Sequence, residues 1–531
     1  MTPRAADTHR PLLVHGGPIR TMVPGEGPQS WVRVEHGRVT ATGGGEPPAS
    51  PDSERVDLRG RLLLPGFCDA HAHLGWIATA LLGCDLSGCD GVRALLETFA
   101  THRGPGRGPG AEWLVGHGFD ESTWSEARLP SRAELDAVES QRPVLLQRVC
   151  GHVGVLNAAA LARVPDGPHT DRQTGRIAED DLYAVNDLLR PRVEDLERVL
   201  PQVVSTLHAH GITSVHDVTS PELLAALGRA TSAGRLDANI SCSIPARYLT
   251  PVTRPTSLAT SPTRANPLRF FEAEGFGELP VERRNVGLRV LGIKVFVDGS
   301  LGARTAYLRA PYTDDPKTRG APLYDLDELT ALFRRVDAAG LQLMVHAIGD
   351  AALDFALDVF EPLLAGGNPQ RHRLEHVEVT PPDLVGRLAS AGVRVCVQPN
   401  FAGRWSRPGG MNAQRLGERL AHCNAYRTLR AAGVPLAFGS DCMPLGPLFG
   451  LRSAVDHPLA GERLEAATAL DLYTAAGAEL THAEAEFGRI APGLLADFVV
   501  LDRDPVASGD WEATRVEAVF MRGRRVWGER L

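Results

Sequence analysis

The sequence predicts an α/β protein: a (β/α)8 TIM-like barrel, with a small β-sandwich formed by both termini and a large insertion after the first barrel strand. Three observations carry this. Eight apolar, β-like runs alternate with helical stretches, the pattern of a parallel sheet whose strands are covered on both faces. Short alternating segments stand at both ends of the chain. One interval, between the first and second runs, is far longer than a single crossover helix needs.

In order, Val32 and Val34 alternate before a turn at Gly37, with Val39 following. The eight runs are Leu62 to His73, Ile212 to Val218, Asn239 to Arg247, Leu288 to Val297, Leu341 to Ile348, Arg373 to Val379, Val393 to Asn400, and Pro435 to Asp441. Near the end, Val516, Ala518 and Phe520 alternate before Gly523 and Val526, so two meanders from opposite ends pair into one small domain. The resulting plan is residues 1–63 with 490–531 as the composite β domain and 64–489 as the barrel. An insertion at about 75–205 has its own strand (Val144 to Val149) and helices (Asp181 to Leu189, Val193 to His208). Loops after barrel strands lie on the catalytic face, so the insertion is expected to roof the site. The stretches Gly43 to Pro51, Arg103 to Gly110 and Thr250 to Pro267 read as turns or loops.

Composition removes several functions. A net charge of -8 with 43% hydrophobic residues supplies no basic footprint for nucleic acid and no cationic membrane surface. No window reaches the apolar length of a membrane span, and the polar start lacks a signal-peptide core, so a cytoplasmic protein is expected. Its partner is then a small-molecule substrate, with a homo-oligomer open. The eight scattered cysteines include no CxxC pair and favour reduced thiols. Of 56 basic residues only Lys294 and Lys317 are lysine, which draws attention to a lysine inside the apolar run LGIKVFVDGS.

The strongest chemical signal is Asp69-Ala-His71-Ala-His73 at the end of LLLPGFC. Residues two apart on a strand share a side, ~6.6 Å from each other, so His71 and His73 can converge on one ion. Alone, such a pair is ordinary strand-end polarity. Further candidates stand at other strand ends: His346 after LQLMV, His376 after RHRLE, Asp441 after PLAFGS, and Lys294. Their joint placement favours a divalent metal site. A second His-x-His pair, His208 and His210, sits at a helix end where positions two apart diverge, and reads as structural.

His372 to His376 spells H-x-x-E-H, which on a helix would bring both histidines to one zinc. The segment is short, β-like and followed by Pro381-Pro382. On a strand the two would lie ~13 Å apart, leaving His376 as the only ligand of the pair.

These residues and their order resemble the amidohydrolase superfamily and, within it, the YtcJ-like branch related to N-substituted formamide deformylase. The resemblance rests on LPGFCDAHAHL, RPVLLQRVCGHVGVLNAAAL, GITSVHDV, GIKVFVDGSLGARTA, HAIGDAALDFALD, HRLEHVE, GSDCMP and GRIAPGLLADFVVLDRDP, from Leu64 to Pro505. It implies a metal ligand set of His71, His73, Lys294, His346, His376 and Asp441. It also implies that Lys294 reacts with CO2 to a carbamate bridging two metals, which needs a neutral amine of the kind that burial promotes. An ion pair of Lys294 with Asp298 is the alternative. The chain departs from the pattern at Phe119, where tryptophan is usual, at Ala158, where serine is frequent, and in a shortened loop DRQTGRIAED; these are read as substrate-facing changes.

The expected reaction is hydrolysis of a C–N bond in an amide, formamide or cyclic amide, with one or two divalent metals per chain, zinc first among them. Asp441 is the expected base and then acid. Asp69 is expected to orient a ligand histidine from behind. His152, in CGHVGVLN, is a candidate substrate or oxyanion contact or a structural histidine. Alternatives are a one-metal deaminase with Lys294 unmodified, an ester or lactone hydrolase, and a non-catalytic binding protein, against which the complete ligand set speaks.

Overall fold

The computed structural model describes residues 10–49, 51–102, 112–151, 153–248 and 287–529. His152 and the stretches 103–110 and 250–267 therefore lie outside the described residues. The chain divides into two compact units: Met1–His73 with Val204–Pro221 and Thr231–Leu531, and Leu74–Val203 with Glu222–Ala230.

The first unit holds the barrel. Its eight parallel strands are Phe67–Ala72, Ile212–Val218, Asn239–Pro245, Leu288–Phe296, Gln342–Ala347, Arg373–His376, Arg394–Val397 and Leu436–Phe438, hydrogen-bonded in that order. Each coincides with one of the eight apolar runs. Strand eight comes back to strand one through the Asp441 N–H, which donates to the His71 carbonyl at 2.8 Å. Gly439 permits this approach, because a Cβ there would lie 2.5 Å from the His71 nitrogen.

Helices cover the strands with apolar stripes. In Leu326–Ala338 the buried residues Leu329, Leu332, Phe333 and Val336 follow the three-four spacing of one helix face, and Asp325 caps the N-terminus by accepting from the Asp327 and Glu328 N–H groups. Pro382–Ala391 starts with proline and ends at Gly392, whose φ of 64° is the left-handed geometry that closes a helix.

The first run is in fact two strands. Leu62–Pro65 pairs antiparallel with Phe498–Leu501, whereas Phe67–Ala72 pairs parallel with Ile212–Val218. The break is Gly66, packed so closely on Thr213 that a Cβ would sit 2.1 Å from its Oγ1. Strands from both ends of the chain build one eight-stranded sheet, ordered Arg524–Gly528, Val516–Met521, Phe498–Leu501, Leu62–Pro65, Leu12–Ile19, Gln29–Glu35, Arg38–Gly43, with Glu54–Asp57 also beside Leu12–Ile19. Val14, Val32, Leu63, Ile490, Phe498 and Phe520 share its core. Arg20 and Asp504 form an ion pair of 2.7 Å between the two ends.

The second unit contains a five-stranded sheet ordered Arg176–Ala178, Val153–Leu156, Val144–Arg148, Leu114–Phe119, Cys84–Asp85. Only Val144–Arg148 was legible as a strand; the others are short or carry glycine. Phe119 is fully buried beside Trp124, with ring centroids 5.8 Å apart. Asn157 caps a short helix by accepting from the Ala160 N–H at 2.9 Å. The departure at Phe119 thus lies in this unit's core and not on a substrate-facing surface, since its ring fills the space between sheet and helices.

The eight cysteines are free thiols. Among the described residues, no helix is long and apolar enough to cross a membrane.

Candidate metal centre

His71 points inward from the buried first strand, and His73 stands just past its end. The Nε2 atoms of His73 and His71 lie 2.9 and 3.4 Å from one oxygen, Oδ1 of Asp441. The His376 ring completes the group, with its centroid 4.9 Å from that of His71 and 4.4 Å from that of His346. His71, His376 and Asp441 each offer a ligand atom within 4.8 Å of the other two.

The backbone is bent to achieve this. His376, Val377, Asp441 and Cys442 have φ of 73°, 49°, 53° and 57°. For residues with a Cβ this left-handed region costs about 1–3 kcal/mol each and persists where surrounding structure enforces it. At strand six the bend ends the pleat, so the neighbours Glu375 and His376 both reach the His71 ring instead of facing opposite sides.

Hydrogen bonds assign the imidazole nitrogens. His71 Nδ1 is bonded to Glu375 Oε2, so its proton sits on Nδ1 and its lone pair on Nε2. His376 Nδ1 bonds Gln398 Oε1 at 2.8 Å, which again makes Nε2 the ligand atom. His346 is reversed: its Nε2 donates to the Gly299 carbonyl at 2.9 Å, beside Asp298 Oδ1 at 3.4 Å, and Nδ1 carries the lone pair. Burial, and after it the cationic neighbours, hold His71 and His376 well below the usual imidazole range, so both are neutral.

Lys294 is fully buried on strand four, and its Nζ has no hydrogen-bond partner among the described residues. Burial pushes its amine down to about 8, against the pull of Glu375 and Asp441. The alternative ion pair with Asp298 does not form. The Asp298 carboxylate instead accepts the N–H groups of Tyr307, Ile348 and Gly349 at 2.9–3.0 Å, and burial raises it to about 7.

Asp69 takes a different place from the one expected. It accepts from the Ser440 N–H at 2.8 Å, the Ser440 hydroxyl at 2.5 Å and the His71 backbone N–H at 3.3 Å. It therefore ties strand eight to strand one, while Glu375 orients the His71 ring. Glu375 is itself in a fully buried ion pair with Arg373, Nε to Oε1 2.7 Å. Sequence reasoning passed over Glu375, Gln398 and the Gly299 carbonyl. A signal existed for Glu375, because a carboxylate in the middle of a buried strand demands a partner.

His372 faces elsewhere. Its Nε2 is 2.9 Å from Asp337 Oδ1 and its Nδ1 accepts from the Leu343 N–H, so of the H-x-x-E-H pair only His376 reaches the centre. His208 bonds the Asp237 carbonyl at 2.8 Å, a structural role.

The neutral imidazoles of His71 and His376, the Asp441 carboxylate and a buried Lys294 amine without a hydrogen-bond partner among the described residues make a donor set that fits divalent ions, since an ion would compensate polar groups buried together. Parallel strands that deliver such a set at their carboxyl ends define the class: a metal-dependent barrel hydrolase. The Amidohydrolase family model matches residues 54–527, and the chain belongs to that family. It is 30% identical over 535 residues to YtcJ of Bacillus subtilis (strain 168), a protein named as an amidohydrolase, covering 93% of this chain and 94% of that one. It is 29% identical over 561 residues to the N-substituted formamide deformylase of Arthrobacter pascens, covering 97% and 98%. A crystal structure of a metal-dependent hydrolase from Pyrococcus horikoshii superposes with a TM-score of 0.75 at 28% identity, covering 93% of this chain and 98% of that one.

Proposed function

We propose that this hydrolase cleaves the C–N bond of a small amide, formamide or cyclic amide, using one or two divalent ions, zinc first among them. The observation that carries the reading is Asp441 Oδ1, which stands 2.9 Å from His73 Nε2 and 3.4 Å from His71 Nε2, where a base must stand to serve a water at the ligand cluster. His71, His73, His346, His376 and Asp441 would hold the ions, and Lys294, carboxylated on Nζ, would bridge two of them. A bound divalent ion supplies Lewis acidity, making water acidic near neutral pH and polarising a carbonyl.

The chain's own groups do the rest. Asp441 accepts a proton from the attacking water as the oxygen bonds to the carbonyl carbon. It then delivers that proton to the nitrogen as the C–N bond breaks, so one water is consumed and an acid and an amine leave. Glu375 and Gln398 keep the His71 and His376 rings in the ligating tautomer throughout. Likeness to a formamide deformylase supports N-formyl compounds among the substrates.

The test is a panel of N-acyl, N-formyl and cyclic amides on protein stripped of metal and reloaded with zinc, manganese or cobalt. Turnover of an amide that vanishes on stripping and returns on loading is expected. Full turnover by rigorously metal-free protein would overturn the reading.

A further inference from the structure

Two of the candidate ligand histidines depend on groups that are not themselves ligands. Glu375 Oε2 fixes the His71 proton on Nδ1, and Gln398 Oε1 does the same for His376 at 2.8 Å. Glu375 belongs to strand six and Gln398 follows strand seven. Cys396 stands between them.

Strand register puts it there. Cys396 and Glu375 are partners across the parallel strands Arg394–Val397 and Arg373–His376, so their side chains stand side by side. Cys396 Sγ, an oxygen of Glu375 and a nitrogen of His71 lie within 4.8 Å of one another, and the thiol and the carboxylate are hydrogen-bond partners. Gln398 is two residues further on, and its Nε2 donates to Cys396 Sγ at 3.8 Å. The thiol side chain is fully buried and packs with Ala70, Ala437 and Leu480.

The sulfur acts through the Gln398 amide. An amide has two ends of nearly equal size, one accepting and one donating, and its neighbours decide which end faces where. With Oε1 towards His376, the ring keeps its proton on Nδ1 and leaves Nε2 as the ligand atom. Turned over, the amide would present an N–H to Nδ1, and the ring proton would move to Nε2, where an ion has to bind. The thiol opposes that turn, because it gives its proton to Glu375 and offers a sulfur lone pair to Gln398 Nε2.

We propose that Cys396 is a positioning residue: one thiol joins the orienting groups of His71 and His376 and keeps both rings in the form that binds metal. This rests on the metal-dependent hydrolase reading and adds to it a residue that touches neither ion nor substrate.

The experiment uses full-length protein stripped of metal, with zinc affinity read by competition against a chromogenic chelator. The denaturation midpoint of the metal-free form and the visible spectrum of the cobalt-loaded form are recorded beside it. Cys396→Val keeps an apolar side chain against Ala70 and Ala437 but can neither donate nor accept, so zinc affinity should fall about 10- to 100-fold while the metal-free midpoint stays near wild type. Cys396→Ala removes the same bonds without added bulk and should match it. Cys396→Ser both donates and accepts, and should hold zinc within about threefold of wild type with the cobalt spectrum retained. Wild-type affinity in the valine and alanine variants, or a serine variant as weak as alanine, would make Cys396 a packing residue and overturn the proposal. A wild-type protein that holds no divalent ion would remove the hydrolase reading and the positioning role together, whereas metal binding that ignores Cys396 removes the positioning role alone.

Discussion

His73 Nε2 lies 2.9 Å from Asp441 Oδ1, which joins the end of the first barrel strand to the end of the eighth. That contact gives Asp441 two possible tasks, holding an ion and moving a proton, and replacement by asparagine separates them. Asp441→Asn keeps size and one carbonyl oxygen but removes the basic carboxylate. Turnover is expected to fall by about 10²- to 10⁴-fold while metal stoichiometry stays near wild type, measured on one preparation. Near-normal turnover with metal retained would assign the base elsewhere.

Lys294 gives a second test. Lys294→Ala should lower metal content per chain, and bicarbonate or a short carboxylic acid should restore part of the activity by filling the space that the side chain leaves. Mass spectrometry of intact wild type under CO2 should find added carboxyl mass that the variant lacks. Unchanged metal content in Lys294→Ala would remove the bridge from the reading and leave a one-metal hydrolase.

Glu375 serves His71 and Arg373 at once, and two substitutions tell these tasks apart. Glu375→Ala leaves a buried guanidinium without its anion, an effect of about 3–5 kcal/mol on stability. It should also weaken metal binding about 10- to 100-fold through the loosened His71 ring. Glu375→Gln restores an acceptor for the ring but not the charge, so metal affinity should recover further than the denaturation midpoint does. Equal recovery of both would argue that Glu375 acts on His71 only through overall stability.

A pH effect is expected at His208, away from the metal. Burial lowers its imidazole below the ordinary 6.5, with the Asp237 carbonyl bond a partial offset. Well above pH 6.5 both folded and unfolded forms are neutral there, so the site adds no pH dependence. As pH falls below 6.5 the unfolded chain takes up the proton first, and stability declines until the folded imidazole also titrates. The free-energy difference between wild type and His208→Gln should therefore be flat above pH 7 and move in the variant's favour below 6.5. A difference independent of pH from 8 to 5 would contradict this.

The barrel and its candidate ligands were legible along the chain because both are written locally. Runs such as VLGIKVF and LQLMV are apolar on both faces, and each ligand histidine or aspartate stands at the end of such a run. Any fold that makes these runs into parallel strands of one barrel brings their ends together. That much needs only the strand period and the cost of burying polar groups.

The partners of those ligands needed the tertiary structure. Asp69 is one residue from Ala70 and two from His71, yet its carboxylate serves Ser440, and the ring of His71 is held by Glu375 from strand six. The run from Leu62 to Cys68 carries no polar residue, yet Gly66 divides it between two sheets, packed on Thr213 where a side chain would be. Strand period and residue type decide which face a side chain takes; which distant atom satisfies a buried charge, and where two sheets part, is set by contacts between segments that the chain order holds far apart.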